Sequence, residues 1–284
     1  MIVVTGATGN IGRSLVGQLL AEGAPVRALT RDPARAGLPA EAETVRADLT
    51  DPASLEPALH GAEALFLNLA AGGGEAAASV VGAAVKAGAR RIVLNSSIAV
   101  TDAPEDNDNF LARMHGSVES AVRASGLEWT FVRGGAYATN ALQWAQEIRE
   151  SGVVRDPHPG SATAPVHEDD LAAVAAAALL DRTGAHTGKA YVVTGPASLT
   201  REDQVAVIGR AVGRPARVEV VSEEQAAEER ATPSVSKETL LQLFRLFASS
   251  VGTTAPVTDT VQQVTGRPAR TFEQWARDHA GDFS

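Results

Sequence analysis

"VTGATGNIGRSLVGQLL", Val4 to Leu20, decides the fold. A short apolar run, Ile2–Thr5, leads straight into Gly6, Gly9 and Gly12, and these lead straight into an amphipathic segment. Ile11, Leu15 and Leu19 recur at helical spacing, and Val16 and Leu20 widen the same face, so a helix packed on a sheet is expected. Glycines at a strand-to-helix turn let the backbone approach a pyrophosphate closely. The helix N-terminus adds free N–H groups and the positive end of its dipole. Three glycines alone mark any turn, but between a strand and a helix they point to a dinucleotide site.

The alternation continues outward from this stretch. Apolar runs at Val26–Thr30, Ala64–Asn68, Arg91–Asn95 and Trp129–Arg133, with a shorter one at Thr44–Arg46, read as strands. Ile11–Leu20, Ser54–Leu59, Ala76–Ala87, Phe110–Ala124 and Ala136–Glu150 read as helices. Strands apolar on both faces and separated by helices imply a parallel sheet covered on both sides. The fold class is α/β, a doubly wound (Rossmann) parallel sheet with a smaller, mainly helical C-terminal lobe. "GVVRDPHPGSATAP" (Gly152–Pro165), with its three prolines, reads as loop. "HEDDLAAVAAAALLD" (His167–Asp181) reads as a helix opened by acids, and "KAYVVTG" (Lys189–Gly195) as a strand returning to the sheet edge. From Leu199 helices dominate, with Thr200 and Asp203 at near capping-box spacing. The expected division is a nucleotide-binding domain over 1–195, its 155–185 part contributing to the substrate side, and a small helical substrate or lid lobe over 196–284.

Bulk properties narrow the class. The 284 residues are 44% hydrophobic and 21% charged, as in an ordinary globular protein. A net charge of -9 argues against a nucleic-acid partner, which wants a basic face. The absence of cysteine excludes disulfides, thiolate metal sites and cysteine nucleophiles. His60, His158, His167, His186 and His279 are scattered without ligand spacing, so no metal is expected. The longest apolar run, Leu171–Leu180, is about half of what a bilayer needs. "MIVVTGATG" has no basic n-region or cleavage site. A cytoplasmic protein without a membrane partner is the expectation.

"VRALTRDPAR" (Val26–Arg35) places Arg31 and Asp32 where the adenosine ribose should lie. An acid there suits the ribose hydroxyls of NAD, an arginine the 2′-phosphate of NADP. Asp32 before Pro33 has a second explanation as a helix cap. NADP(H) is therefore preferred over NAD(H), with Arg31 as the discriminating residue. Asp48-Leu49, after the third strand, either reaches the adenine amino group or caps the next helix.

"TGATGNIG", "LTRDP" and "ASGLEWTFVRGGAYATN" ahead of "APVHEDDLAAVAAAALL" together resemble the NmrA-like group of atypical short-chain dehydrogenases/reductases, over almost the full length. That group includes NADPH-dependent quinone reductases, isoflavone-reductase-type enzymes and non-catalytic NADP sensors. The resemblance implies that Gly6, Thr8, Gly9, Asn10, Ile11, Gly12 and Arg31 hold the nucleotide. It implies that Asn68, Leu69 and Ala70 run beneath its riboses, and that Ser96 and Ser97 face the nicotinamide end. Gly135, Ala136, Tyr137 and Asn140 would wall the pocket. Gly134 stands where the group has proline after arginine, which implies a looser loop.

The wider superfamily carries a Tyr-x-x-x-Lys pair on the helix after the fifth strand, and the positions aligned by Glu119 hold Leu111 and His115. Leucine does no proton chemistry. His115 either binds the nicotinamide ribose or substrate, or acts as a general acid near neutral pH, or forms an exposed pair with Glu119 beside a stripe of Met114, Val118 and Val122. Tyr137 is a second candidate donor. "ETLLQLFRLF" (Glu238–Phe247) carries more large apolar groups than one face needs, so Phe244 and Phe247 are either core, a lid over an apolar substrate, or a subunit contact. The expected function is an NADPH-dependent oxidoreductase passing hydride to a quinone-, enone- or similar apolar aromatic acceptor. The alternatives are a non-catalytic NADP(H) sensor with a protein partner, and an isomerase or epimerase.

Overall fold

A computed structural model describes residues 1–68, 73–101, 103, 109–233 and 235–284, the side chains of 73–75 excepted. Along the chain come β1 (Ile2–Val4), α1 (Asn10–Ala21), β2 (Val26–Thr30), β3 (Glu43–Arg46), α2 (Pro52–Leu59), β4 (Ala64–Leu67), α3 (Gly73–Lys86), β5 (Arg91–Ser97), α4 (Phe110–Ala124) and β6 (Glu128–Gly134). There follow α5 (Ala145–Glu150), β7 (Val153–Asp156), β8 (Ala162–Thr163), α6 (Glu168–Leu180) and β9 (Lys189–Val193). The rest comprises β10 (Leu199–Thr200), α7 (Arg201–Ala211), β11 (Arg217–Val220), α8 (Glu223–Arg230), α9 (Lys237–Ser249), α10 (Thr260–Thr265) and α11 (Phe272–Asp278).

Among the described residues, seven strands form one parallel sheet in the order β3-β2-β1-β4-β5-β6-β9. Strand alternation decides its two faces. Val3, Leu29, Leu65, Leu67, Ile92, Leu94 and Phe131 face α2, α3 and α4 in one apolar core. The alternate residues face α1 and α6, which pack on each other. The order reverses between β1 and β4, and in such sheets ligands bind outside the strand ends at that reversal.

The chain divides into two compact units that are interleaved rather than consecutive. The first is Met1–Gly135, Glu168–Val193 and Thr260–Arg267; the second is Ala136–His167, Thr194–Asp259 and Pro268–Ser284. This differs from a boundary at 195, because Ala136–His167 falls in the second unit while α10, from beyond 195, packs on α6 and β9 in the first. The second unit is built on Trp144, Ile148, Val205, Ile208, Phe272, Trp275 and Phe283, with a smaller cluster joining α8 to α9.

Two readings of local structure are corrected. The stretch from Gly152 to Pro165 is not all loop: β7 pairs in parallel with β11, and β8 antiparallel with β10, both partners lying more than thirty residues downstream. The helix expected over Ala136–Glu150 is a 3-10 turn at Ala138–Trp144 followed by the short α5.

Candidate functional site

The glycine turn has the geometry its spacing implies. Gly6 adopts φ +62°, the left-handed region where only glycine is free of strain. A Cβ on Gly12 would stand 2.1 Å from the Gly6 carbonyl oxygen, so α1 can approach the turn only through a glycine. Gly9 occupies the N-cap of α1 without a side-chain cap, and Thr8, Gly9 and Asn10 are exposed. The first N–H groups of the helix thus remain open to an anion. Ile11 and Gly12 are buried beneath them. A pyrophosphate fits this cradle: backbone without Cβ groups, uncapped amides and a positive dipole end.

Thr5, which sequence reasoning passed over, ties the two strands of the reversal together. Its hydroxyl donates to the Phe66 carbonyl at 3.1 Å and accepts from the Asn68 N–H at 2.8 Å. Asn68 in turn accepts from Asn95 Nδ2 at 3.3 Å. Leu69 and Ala70 lie outside the described residues.

At the end of β2, Arg31 is exposed and makes no hydrogen bond or ion pair among the described residues. Asp32 stands at the N-cap of the 3-10 turn Pro33–Arg35, but its side chain makes no cap bond. Asp32 thus holds the expected N-cap position before Pro33 but without the cap hydrogen bond, and both charges are presented at the same strand end. Arg13 was also missed. It donates to the carbonyls of Gly37 at 2.6 Å and Ala36 at 3.0 Å, which fixes the loop after Arg31 to α1. Asp48 is not a helix cap either, since Asp51 caps α2 by accepting from the Ala53 N–H. Asp48 instead accepts from the hydroxyl and N–H of Thr50. Those bonds, with a smaller contribution from the Arg31 charge, hold its carboxyl below the usual carboxylate range. Leu49 beside it is half-buried against the main core.

The nicotinamide side departs most from expectation. Ser96 is fully buried and its hydroxyl donates to Glu119 Oε1 at 2.7 Å, so it has no surface to offer a nicotinamide. Ser97, one residue on and on the opposite face, is half-buried and its hydroxyl accepts from the Ala99 N–H at 3.1 Å. Glu119 is only 3% exposed and forms a two-pronged pair with Arg133, Nε to Oε1 at 2.9 Å and Nη2 to Oε2 at 2.8 Å. The exposed His115–Glu119 pair is thereby excluded. Met114 is 42% exposed and does not belong to the buried stripe, which is Ala112, Val118, Glu119 and Val122. A signal existed for this cluster: Glu119 falls on the buried helix face and Arg133 ends an otherwise apolar strand.

His115 is half-buried on α4 and hydrogen-bonds no described residue. Burial holds its pKa below the ordinary histidine value, against a smaller opposing pull from Glu119, so the ring is neutral near pH 7. Leu111 lies one turn before it and is half-buried. Gly134 does not loosen its loop. It remains paired in β6, with its carbonyl accepting from Ile98 N–H at 2.9 Å, while Gly135 N–H donates to the Val193 carbonyl at 2.8 Å.

In the second unit, Ala136 and Tyr137 are half-buried beside Val166, and Asn140 is exposed. Phe244 is 2% exposed and packs on Ala226, Ala227 and Leu240, so it is core and not a pocket wall. Phe247 is half-buried, with the Arg201 guanidinium 4.6 Å above its ring. Among the described residues, no group of three His, Asp or Glu side chains is placed to hold a metal ion. No helix there is long and apolar enough to cross a membrane.

Residues 6–182 match the family described as NAD(P)H-binding. The (4-alkanoyl-5-oxo-2,5-dihydrofuran-3-yl)methyl phosphate reductase of Streptomyces griseus is 40% identical over 288 residues, spanning 100% of this chain and 99% of the relative. The NAD(P)H azoreductase of Xenophilus azovorans is 36% identical, again over 100% of this chain and 99% of its own. The crystal structure of an Escherichia coli NADPH-dependent quinone oxidoreductase complexed with NADPH superposes with a TM-score of 0.80 at 27% identity, covering 98% of this chain and 99% of that one.

Proposed function

Because this chain belongs to the NAD(P)H-binding family, and within it to the NmrA-like atypical short-chain dehydrogenases/reductases, we propose that it is an NADPH-dependent reductase of conjugated acceptors, quinones and enones foremost. One observation carries this reading: the nucleotide cradle at the end of β1 is intact, while α4 offers no acid at Leu111 and the Ser96 hydroxyl is turned into Glu119. When bound, the nicotinamide supplies a hydride. An acceptor of that hydride must then hold the resulting negative charge by itself until water protonates it. Quinones and doubly activated enones do so by delocalisation; a simple ketone does not. The relatives agree in kind. An azo bond and a quinone are both conjugated acceptors, and the name of the Streptomyces substrate describes a ring C=C with two carbonyls on one of its carbons.

The chain's own residues divide the remaining work. Gly6, Gly9 and Gly12 give the pyrophosphate close approach, and the uncapped N–H groups of α1 receive its charge. Arg31 binds the 2′-phosphate, which makes NADPH the preferred donor. His115, as a neutral imidazole that hydrogen-bonds no described residue, binds the nicotinamide ribose in place of the superfamily lysine. The half-buried Ser97 and Gly135 limit water around the reacting carbon.

NADPH oxidation, followed at its absorbance band against a panel of quinones and cyclic enones with NADH in parallel, tests the proposal. Turnover with either acceptor class and NADPH is expected. Tight NADPH binding without turnover on any of them would instead favour a sensor. Arg31→Ala should raise the KM for NADPH by roughly 10- to 100-fold, the loss of one charge-assisted phosphate contact, and leave that for NADH nearly unchanged.

A further inference from the structure

The Ser96–Glu119–Arg133 cluster is a buried ionic group of the first unit that the nucleotide cradle does not account for. Glu119 receives three donors from two adjacent strands, and Arg123 of its own helix stands 3.8 Å away. Ser96 and Arg133 are register partners, each the next-to-last residue of its strand.

As a stability device such a pair is weak. Apolar groups of the same volume would hold α4 on the sheet about as well, since removing two charges from water offsets much of their attraction. What it adds is direction. The remaining contacts of α4, through Ala112, Val118 and Val122, are apolar and fix neither rotation nor axial position. A two-pronged arginine–carboxylate pair fixes both.

The direction matters because of where α4 runs. It starts from the C-terminal end of β5 and returns to begin β6, so residues before Glu119 project past the strand ends. His115 lies one turn before Glu119, about 6 Å further along the axis, on the side where the nucleotide cradle opens. It has no hydrogen bond of its own to a described residue, so nothing described but the helix anchor places it.

We propose that Glu119 is a positioning residue for hydride transfer: through Ser96 and Arg133 it registers α4 against the ends of β5 and β6, and so presents His115 to the nicotinamide ribose. The inference rests on the reading of His115 given above. Glu119 touches neither cofactor nor substrate and acts only through the helix.

The test is a double-mutant cycle of Glu119→Gln and His115→Ala, with kcat, NADPH affinity and the deuterium isotope effect from 4-deuterated NADPH as readouts. Glu119→Gln keeps the shape of the side chain and removes its charge. It should lower kcat by about 10- to 100-fold, as a misplacement of about an ångström does, and raise the isotope effect. NADPH affinity should stay within roughly threefold, because the pyrophosphate contacts are untouched. In the His115→Ala background most of that loss should vanish. Ser96→Ala, which removes one hydrogen bond and leaves the ion pair, should move the same readouts in the same direction by less. It carries the test if the glutamine variant does not fold. A Glu119→Gln loss undiminished in the His115→Ala background would overturn this inference alone. So would a lowered melting temperature with unchanged kcat and isotope effect. His115→Ala with normal turnover and normal NADPH affinity would overturn the reading of His115, and this inference with it.

Discussion

Gly12 and His115 show two ways in which one side chain decides a site. At Gly12 the absence of a side chain matters: a methyl group would meet the Gly6 carbonyl oxygen at 2.1 Å, and that atom is backbone in a turn that cannot yield. Gly12→Ala is expected to abolish NADPH binding, measured by fluorescence titration, while far-ultraviolet circular dichroism stays close to native. At His115 the surroundings matter. Its folded pKa lies below the unfolded value of about 6.5, chiefly through burial. Between those two values the unfolded chain binds more protons than the folded one, so stability rises with pH there and is lost as pH falls through the window. His115→Gln should flatten the pH dependence of the urea midpoint below about pH 6.5, and a nuclear magnetic resonance titration of the ring should give the lowered pKa directly. The glycines were legible in the sequence because their spacing and their role coincide. The Glu119–Arg133 pair was not read from it, although Glu119 falls on the apolar helix face. A charged residue on a helix is assigned to solvent by default, and only the strand register brings Arg133 beneath it.

At the scale of elements, legibility followed the range of the interactions. The strands β1, β2, β4, β5 and β6 and the helices α1 and α4 declare themselves by apolar periodicity within their own span. Caps are equally local: the expected Thr200–Asp203 box is present, with Asp203 N–H donating to Thr200 Oγ1 at 3.1 Å and Thr200 N–H to Asp203 Oδ2 at 3.0 Å. Asn109 caps α4 by accepting from the Ala112 N–H at 2.8 Å. Asn109→Ala should cost about 1 kcal/mol in chemical denaturation. Its effect on kcat should exceed its effect on NADPH affinity, because fraying begins one turn from His115. By contrast β7 and β8 exist only because β11 and β10 return to pair with them. Their prolines and polar residues read as loop from within the segment. The same argument covers Asp32, where a plausible local cap competes with a free carboxylate and only coordinates decide.

At the scale of the whole molecule, the fold class was legible and the division of the chain was not. An alternating strand–helix pattern implies the doubly wound sheet regardless of what is attached to it. The boundary expected at 195 treats the units as consecutive, whereas Thr260–Arg267 belongs with the first and Ala136–His167 with the second. A fragment of residues 1–195 should therefore be poorly folded, despite containing every strand of the seven-stranded sheet. It lacks α10 against α6 and β9, and it carries an Ala136–His167 segment stripped of its partners Val205, Ile208 and Trp275. Proteolysis in low urea checks this: the fragment should be cleaved far faster than the full chain. Restoring 196–284 as a separate polypeptide should slow the cleavage.

The position of β9 also bears on how the chain is made. Its pairing with β6 joins Thr130 to Lys189 and Val132 to Tyr191, so about sixty residues of translation separate the two halves of that ladder. At 5–20 residues per second, a ribosome leaves the apolar edge of β6 uncovered for about 3 to 12 seconds. In that interval the nascent chain presents an open strand to its neighbours on the same messenger. Slower codons between 135 and 189 would lengthen the exposure.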